Sequence, residues 1–283
     1  MFLVTGATGT VGRIVIDRLV EAGRPVRALT RNPGTAGLPA PVDVVAGDLT
    51  RPHELSGALD GIEGVHYLPA MADADQAVAH AEVFLDLAVK AGVHRISVLS
   101  TGAVTVRRPG SHELLRELEQ VVEASGLDWT HVRPGEFMVN KLDLWGASIR
   151  AEGVVRNAFP AGTGVPVHEA DIAEVAVAAL LEDGHAGRAY TLTGPQRLTH
   201  REQAAAVAEG LGRPLRFEAQ TYGQARAACI AAGFPADIAE YVLGYQAEYA
   251  EEPPAVSPAT EQVLGRPGRT LAQWAADHAA DLT

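Results

Sequence analysis

Three glycines near the start of the chain have the spacing most suggestive of chemistry. Gly6, Gly9 and Gly12 follow an apolar stretch that begins at Phe2, and an amphipathic helical pattern begins directly after them. Glycine accepts the positive φ of a tight strand-to-helix turn and lets the backbone approach a phosphate closely. Free N–H groups at the helix start would then face the anion. We therefore predict a pyrophosphate-binding loop, with contacts from Gly6, Thr8, Gly9, Thr10, Val11 and Gly12.

The second strand pattern, at 26–30, bears on which ligand the loop holds. It completes a β-α-β unit, which favours a dinucleotide. Proteins that prefer NAD usually have an Asp or Glu at the tip of this strand, where it binds the ribose 2′-OH. Here the tip carries Arg31, and the nearest carboxylates in sequence are Glu21 and Asp43. A guanidinium suits a 2′-phosphate, so the sequence predicts NADP(H), a solvated surface arginine being the alternative.

Composition limits the classes of partner. The 283 residues carry a net charge of −12 and no basic run longer than Arg107-Arg108, so we expect no nucleic-acid partner. The single cysteine, Cys229, excludes an intramolecular disulfide and favours a reducing cytoplasm. We expect no membrane partner, because the chain has neither a signal peptide nor an apolar run of bilayer length.

Strand and helix patterns alternate up to about residue 135. Further strands are predicted at 42–46, 64–68, 95–99 and 129–132, and helices at 74–91 and 113–124. The alternation predicts an α/β fold, a Rossmann-type doubly wound parallel sheet. In such a sheet the ligand lies beyond the carboxyl ends of the strands.

The pattern changes after residue 136, which suggests two domains. We assign 1–135 to an NADP-binding Rossmann domain, its sheet completed by parts of 150–195. Residues 196–283 are expected to form a smaller, mostly helical substrate or lid region. A capping box at Thr199–Glu202 opens this region, and further helices are predicted at 222–233, 235–249 and 270–280.

Six short motifs lie along the chain, the first of them within the glycine loop. They are Thr5-Gly6-Ala7-Thr8-Gly9, Arg31-Asn32-Pro33, Gly47-Asp48-Leu49, Ser125-Gly126-Leu127, Arg133-Pro134-Gly135 and Asp171-Ile172-Ala173. With them the chain resembles the atypical short-chain dehydrogenase/reductases, in particular the NmrA-like NAD(P)H-binding group that includes the bacterial type 2 quinone reductases. The resemblance covers most of the chain.

The resemblance implies further cofactor contacts. Asp48 and Leu49 would lie by the adenine, although Asp48 is as readily explained as a turn former or helix cap. The segments after the fourth and fifth strands would flank the nicotinamide ribose, and the end of the sixth would also contact the cofactor. These segments contain Leu68, Pro69, Ser100, Thr101, Gly102 and Pro134.

One departure from the family concerns catalysis. Typical members use a Tyr and a Lys four residues later on the helix after the fifth strand, where the Tyr passes a proton to the substrate. The only lysines here are Lys90 and Lys141, and neither follows a tyrosine in this way. The two corresponding positions fall near Ser111 and Leu115. Ordinary alcohol dehydrogenase chemistry is therefore not expected.

Other catalytic candidates are single residues. His112, Ser100 and Glu119 are weak candidates for proton transfer, because each has an ordinary structural explanation. Phe137, Met138 and Trp145 would line an apolar substrate pocket, or else pack in a core. Scattered histidines and the lack of a His-Glu-x-x-His motif predict no metal.

These observations favour an NADPH-dependent reductase that transfers hydride to an apolar quinone or conjugated carbonyl. Such acceptors suit a site without a strong acid, because delocalisation already stabilises the product anion. The alternative from another class is a non-catalytic NADP(H)-sensing regulator of the NmrA type. A sugar-nucleotide epimerase is disfavoured, because that chemistry also uses the missing Tyr and Lys.

Overall fold

The computed structural model describes residues 1–71, 74–107 and 112–283. In this part of the chain the strands are β1 (Phe2–Val4), β2 (Val26–Thr30), β3 (Asp43–Ala46), β4 (Gly64–Tyr67), β5 (Arg95–Leu99), β6 (Asp128–Pro134), β7 (Val154–Asn157), β8 (Thr163–Gly164), β9 (Arg188–Leu192), β10 (Leu198–Thr199) and β11 (Arg216–Ala219). The α-helices are α1 (Thr10–Glu21), α2 (Ala74–Lys90), α3 (Gly102–Val106), α4 (Glu113–Ala124), α5 (Asn140–Glu152), α6 (Glu169–Leu181), α7 (His200–Leu211), α8 (Tyr222–Ala231), α9 (Ala236–Glu251), α10 (Ala259–Leu264), α11 (Leu271–Asp277) and α12 (Ala279–Leu282). None of these helices is both long and apolar enough to cross a membrane.

The first of two compact units comprises 1–134, 169–192 and 262–265. It contains a parallel sheet in the order β3-β2-β1-β4-β5-β6-β9. The strands that follow β1 in sequence are added on one side as far as β3, and β4 and the later strands are added on the other side. The order of strands therefore changes direction between β1 and β4, as a doubly wound fold requires. The predicted Rossmann-type sheet is confirmed.

Burial explains why the central strands β1 and β4 lack an exposed polar face. β1 and β4 are buried along their whole length, and helices pack on the sheet, α1 against α6 and α2 against α4. Two polar residues inside the sheet are paired with each other, since His66 Nδ1 lies 3.0 Å from Ser97 Oγ. Burial lowers the pKa of His66 to about 4, so the imidazole is neutral at pH 7.

The second unit comprises 135–168, 193–261 and 266–283. It therefore begins earlier than the boundary at 196 expected from the sequence. The reason is that β7 pairs with β11, and β8 with β10, rather than with the large sheet. The unit is mainly helical, and the predicted helix at 270–280 is divided at His278 into α11 and α12.

Candidate functional site

The predicted cofactor residues of the first unit follow neighbouring parallel strands. Gly6 comes after β1, Arg31 after β2, Asp48 after β3, Leu68 after β4 and Ser100 after β5. Because these strands are parallel and adjacent, their carboxyl ends form one edge of the sheet. The structure therefore brings these positions together along that edge.

The glycine loop has space for glycine alone at two of its three positions. Gly6 has φ +60°, and a Cβ there would lie 2.6 Å from Leu68 Cδ2. A Cβ on Gly12 would lie 2.2 Å from the Gly6 carbonyl oxygen. At Gly9 the nearest atom would be 3.3 Å away, a tight contact that a small side chain can tolerate. Gly6 and Gly12 thus determine the shape of the turn, and Gly9 leaves the space in front of it open to a ligand.

The start of α1 is left without a cap. Gly9 occupies the N-cap position, makes no side-chain hydrogen bond, and no acidic residue lies in the first turn. The first N–H groups of a helix have no partner within the helix, and the helix dipole places positive partial charge there. An anionic pyrophosphate fits this arrangement, since it supplies both acceptors and negative charge.

A buried threonine fixes the loop to the neighbouring strand. Thr5 Oγ1 accepts a hydrogen bond from the Leu68 backbone N–H at 2.7 Å, and the Thr5 backbone N–H donates to the His66 carbonyl at 3.0 Å. Thr5 is 1% exposed, so these bonds are shielded from water. The end of β4 and the glycine loop are thereby held in a fixed relation.

Arg31 and Asp48 lie at the next two strand ends. Arg31 is exposed and makes no hydrogen bond or ion pair with a described residue. Asp48 Oδ1 accepts from both the Thr50 backbone N–H and the Thr50 hydroxyl at 2.9 Å. These bonds lower the pKa of Asp48, with a smaller contribution from the charge of Arg31. Asp48 thus forms the turn that was the alternative explanation for it, while its second oxygen makes no hydrogen bond with a described residue.

The remaining predicted contacts differ in exposure. Leu68 is 38% exposed, Leu49 is half-buried, and Pro69 and Pro134 are buried. Ser100 Oγ is buried and lies near Glu119, where it helps to lower the pKa of that carboxyl. Next to it, Thr101 Oγ1 caps α3 by accepting from the Ala103 N–H at 3.2 Å.

Glu119 is held in a buried ion pair. Its carboxylate accepts from Arg133 Nε at 2.9 Å and Nη2 at 2.6 Å, and from Arg116 at 3.3 Å. Burial has the largest single effect and would raise the pKa of Glu119, but the bonds from Arg133 and Ser100 and the nearby positive charges together outweigh it, so the pKa is lowered. Glu119 therefore stays ionised at neutral pH and is a poor proton donor.

The two positions that correspond to the family's Tyr and Lys carry Ser111 and Leu115, and His112 directly follows the first of them. His112 is half-buried at the start of α4, with Nδ1 3.5 Å from Glu113 Oε1. Leu115 is half-buried on α4, and Ser111 lies outside the described residues.

One group of described residues could in principle share a cation. Ligand atoms of Glu119, Glu123 and His131 lie within 4.8 Å of one another. Arg116 and Arg133 already neutralise the two carboxylates, and burial lowers the pKa of His131. A divalent cation would have to displace a guanidinium, so we assign no metal here.

In the second unit, the predicted pocket residues belong to packed structure. Met138 and Trp145 are 1% and 3% exposed and lie in its hydrophobic core, the alternative considered for them. Phe137 is half-buried and pairs with Val167 through a single bridge. Lys141 binds Glu136 at 2.7 Å in a buried ion pair.

Two arginines were not singled out from the sequence. Arg133 was read only as part of a family motif, yet it binds the Glu119 carboxylate and helps to lower the pKa of that group. Arg13, in the first turn of α1, donates to three backbone carbonyls. Its position beside the glycine loop was the one signal that could have found it.

Known proteins share this fold and sequence. Residues 6–183 match the NAD(P)H-binding family. The chain is 40% identical over 293 residues to (4-alkanoyl-5-oxo-2,5-dihydrofuran-3-yl)methyl phosphate reductase of Streptomyces griseus, covering 99% of this chain and 98% of that protein. It is 38% identical over 287 residues to the NAD(P)H azoreductase of Xenophilus azovorans, covering 99% and 98%.

A solved structure agrees along the whole chain. The NADPH-dependent quinone oxidoreductase QOR2 of Escherichia coli, complexed with NADPH, superposes with a TM-score of 0.80 at 26% identity, covering 98% of this chain and 99% of that one. The family match spans more than half of this chain, and both sequence relatives exceed 30% identity over nearly its full length. The chain belongs to the NAD(P)H-binding family.

Proposed function

We propose that this protein is an NADPH-dependent reductase that transfers hydride to an apolar quinone or conjugated carbonyl. The observation that carries the proposal is the uncapped start of α1, at the sheet edge that also bears Arg31, which pairs with no described residue. An anion suits the first position and a further phosphate suits the second. NADPH has both groups, whereas NADH lacks the 2′-phosphate.

Each strand end has a role in this proposal. The backbone N–H groups that follow Gly9 bind the pyrophosphate, and Arg31 binds the 2′-phosphate. Asp48 and Leu49 contact the adenine, and the segments that begin at Leu68 and Ser100 hold the nicotinamide ribose. A bound NADPH supplies the hydride, and the protein orients the two reactants.

The charge state of Glu119 favours an acceptor that needs no strong acid. Because its hydrogen bonds and the neighbouring positive charges keep this carboxylate ionised, Glu119 does not supply a carboxylic acid that could protonate a simple ketone. A quinone or conjugated carbonyl forms a delocalised anion that water can protonate. The named substrate of the Streptomyces relative is an unsaturated lactone, a conjugated carbonyl compound that also carries a phosphate group.

Steady-state oxidation of NADPH tests the proposal. The acceptor panel includes a naphthoquinone, a butenolide, an enone, an azo dye and a saturated ketone. We expect turnover with at least one of the first three acceptors and none with the ketone. Tight NADPH binding without turnover on any acceptor would contradict the reductase and favour a cofactor sensor.

Arg31→Ala tests the choice of cofactor. We expect NADPH affinity to fall by roughly ten- to a hundredfold, since a charge-assisted contact contributes on the order of 1.5 to 3 kcal/mol. NADH affinity should hardly change. Arg24→Ala is the matched control, because Arg24 is also exposed and its side chain makes no hydrogen bond or ion pair with a described residue. Equal affinities of the unmutated protein for both cofactors would contradict the assignment.

A further inference from the structure

The side chain of Arg13 joins the glycine loop to the segment that follows β2. Its Nε donates to the Thr8 carbonyl at 3.1 Å, its Nη1 to the Gly37 carbonyl at 3.0 Å and its Nη2 to the Ala36 carbonyl at 2.7 Å. All three acceptors are backbone atoms, so the bonds depend on the path of the chain rather than on other side chains. One guanidinium thus connects two loops at the same edge of the sheet.

The connected segment carries Arg31 and has fixed ends. It starts at the last residue of β2, where Thr30 Oγ1 accepts from the Asn32 N–H at 3.3 Å. Within it, the Thr35 N–H donates to the Asn32 carbonyl at 3.3 Å, and the Ala36 N–H to the Pro33 carbonyl at 3.2 Å. Its far end is held by Arg13. Residues 31–37 therefore form a short turn anchored by the sheet on one side and by Arg13 on the other.

The three carbonyl acceptors do not neutralise the positive charge of Arg13. A carboxylate partner would neutralise the guanidinium, whereas neutral carbonyls do not, and Arg13 makes no ion pair with a described residue. Ala36 is 3% exposed, so the shortest of the three bonds is anchored to a buried residue. Such an anchor restrains the turn more firmly than a bond at an exposed loop tip.

We propose that Arg13 is a positioning residue for cofactor choice: by tying 31–37 to the glycine loop, it places Arg31 to bind the 2′-phosphate. This inference rests on the proposed NADPH-dependent function. Arg13 acts here through Arg31 and not by contact with the phosphate. Lysine cannot substitute, because an ammonium lacks the planar fork that reaches carbonyls of two loops.

The test compares Arg13→Lys with Arg24→Lys by measuring dissociation constants for NADPH and NADH through calorimetry. Both variants keep the net charge and replace a guanidinium with an ammonium, but only the Arg13 guanidinium is bonded to carbonyls of two loops. For Arg13→Lys we expect NADPH affinity to fall about tenfold and NADH affinity less than twofold, since the loss falls on the 2′-phosphate contact. Amide hydrogen exchange should accelerate in 31–37 and remain unchanged in β2. Arg24→Lys should match the unmutated protein in both measurements.

Other outcomes overturn the inference in distinguishable ways. If Arg13→Lys retains the NADPH to NADH ratio of the unmutated protein, Arg13 does not position Arg31, although the proposed function stands. The same holds if both affinities fall in parallel, because a general loss of loop structure would explain it. If the unmutated protein does not discriminate between the cofactors, the NADPH assignment fails together with the inference.

Discussion

The helix that begins at the glycine loop starts in the opposite way from three helices of the second unit. Each of α7, α8 and α11 begins with a capping box, in which a threonine hydroxyl accepts from a backbone N–H and a Glu or Gln bonds back to the threonine backbone. The α1 helix begins at Gly9 with no side-chain cap and no acid in its first turn.

The difference separates helices whose first N–H groups are bonded by side chains from a helix whose first N–H groups are left open to a ligand. Every helix start has N–H groups without an intrahelical partner. In the second unit, side chains of the protein satisfy some of them, so the cap contributes to folding stability. At α1 the same groups remain available to an anion, so the corresponding free energy contributes to binding instead.

The largest expected effect comes from Gly12→Ala, which adds a methyl group to the first turn of α1. Gly223→Ala adds the same group to the first turn of α8, which has a capping box. In Gly12→Ala the new Cβ would lie 2.2 Å from the Gly6 carbonyl oxygen, which forces α1 away from the loop. We expect a loss on the order of 3 kcal/mol in stability or cofactor affinity. Gly223→Ala places the methyl in open space in the first turn of α8, where it should stabilise by about 0.5 to 1 kcal/mol.

Urea unfolding and NADPH titration of the two variants measure this contrast. A neutral Gly12→Ala variant would mean that the closeness of α1 to the loop does not matter. A loss of cofactor affinity in Gly223→Ala would contradict the division of roles between the two kinds of helix start.

Gly9→Asp would give α1 the cap that it lacks. The backbone at Gly9, with φ −80° and ψ 171°, is extended, so aspartate can adopt it. We expect NADPH affinity to fall by roughly tenfold or more, because the carboxylate occupies the N–H groups and repels the phosphates. The stability of the free protein should be maintained or increased.

Gly9→Ala separates charge from size in this experiment. Its Cβ makes the same 3.3 Å contact with the Gly6 carbonyl oxygen but brings no carboxylate. Calorimetric titration with NADPH should rank the affinities as glycine, alanine, aspartate. Equal affinity of the alanine and aspartate variants would mean that the open helix start does not bind an anion.

Removing caps from the second unit should give a smaller and opposite result. Thr199→Ala and Thr270→Ala each remove a hydroxyl that accepts from the backbone at 3.2 Å. We expect the free energy of unfolding to fall by about 1 kcal/mol for each variant. NADPH affinity should remain within twofold of the unmutated protein, and a larger change would argue against purely structural caps.

The smallest expected effect is a difference in the pH dependence of stability between the capping boxes of α7 and α11. The box of α7 uses Glu202, whose pKa is lowered by the Thr199 backbone N–H, whereas that of α11 uses Gln273. A lowered folded pKa means that the stabilisation is fully present above the unfolded pKa of Glu202, 4.5, and is lost as the pH falls through the folded value. Glu202→Gln should flatten the fall in stability with acid. An unchanged profile from pH 7 to 3 in urea unfolding would contradict this.

Features specified by nearby residues were predictable from the sequence. The strands at 26–30 and 95–99, the helix at 113–124 and the capping box at Thr199 have the predicted positions. Periodicity and cap chemistry both act within a few residues, so the sequence contains them directly. The start of the second unit at 135 was not predictable, because the two valines of β7 would suit either sheet and its partner β11 lies some sixty residues later.

In the candidate site, too, features specified by nearby residues were predictable and features that depend on distant residues were not. The glycine loop and the lack of an acid after β2 were evident from residue types. The bond from Arg133 to Glu119 was not, because it joins a strand to a helix whose relative rotation depends on packing. The contacts of Arg13 are with carbonyl groups, which every residue possesses, so no residue type marks them. Met138 and Trp145 illustrate a further limit, since an apolar side chain suits a core and a pocket equally well.

The return of the chain to the first unit after 168 affects the order of events during synthesis. Residues 1–134 leave the ribosome with one edge of β6 unpaired and without α6, which packs against α1 and is buried along nearly its whole length. Both gaps are filled only when 169–192 emerge. A nascent chain stalled before this point exposes a strand edge and an apolar surface, which are the features that chaperones bind and that promote aggregation.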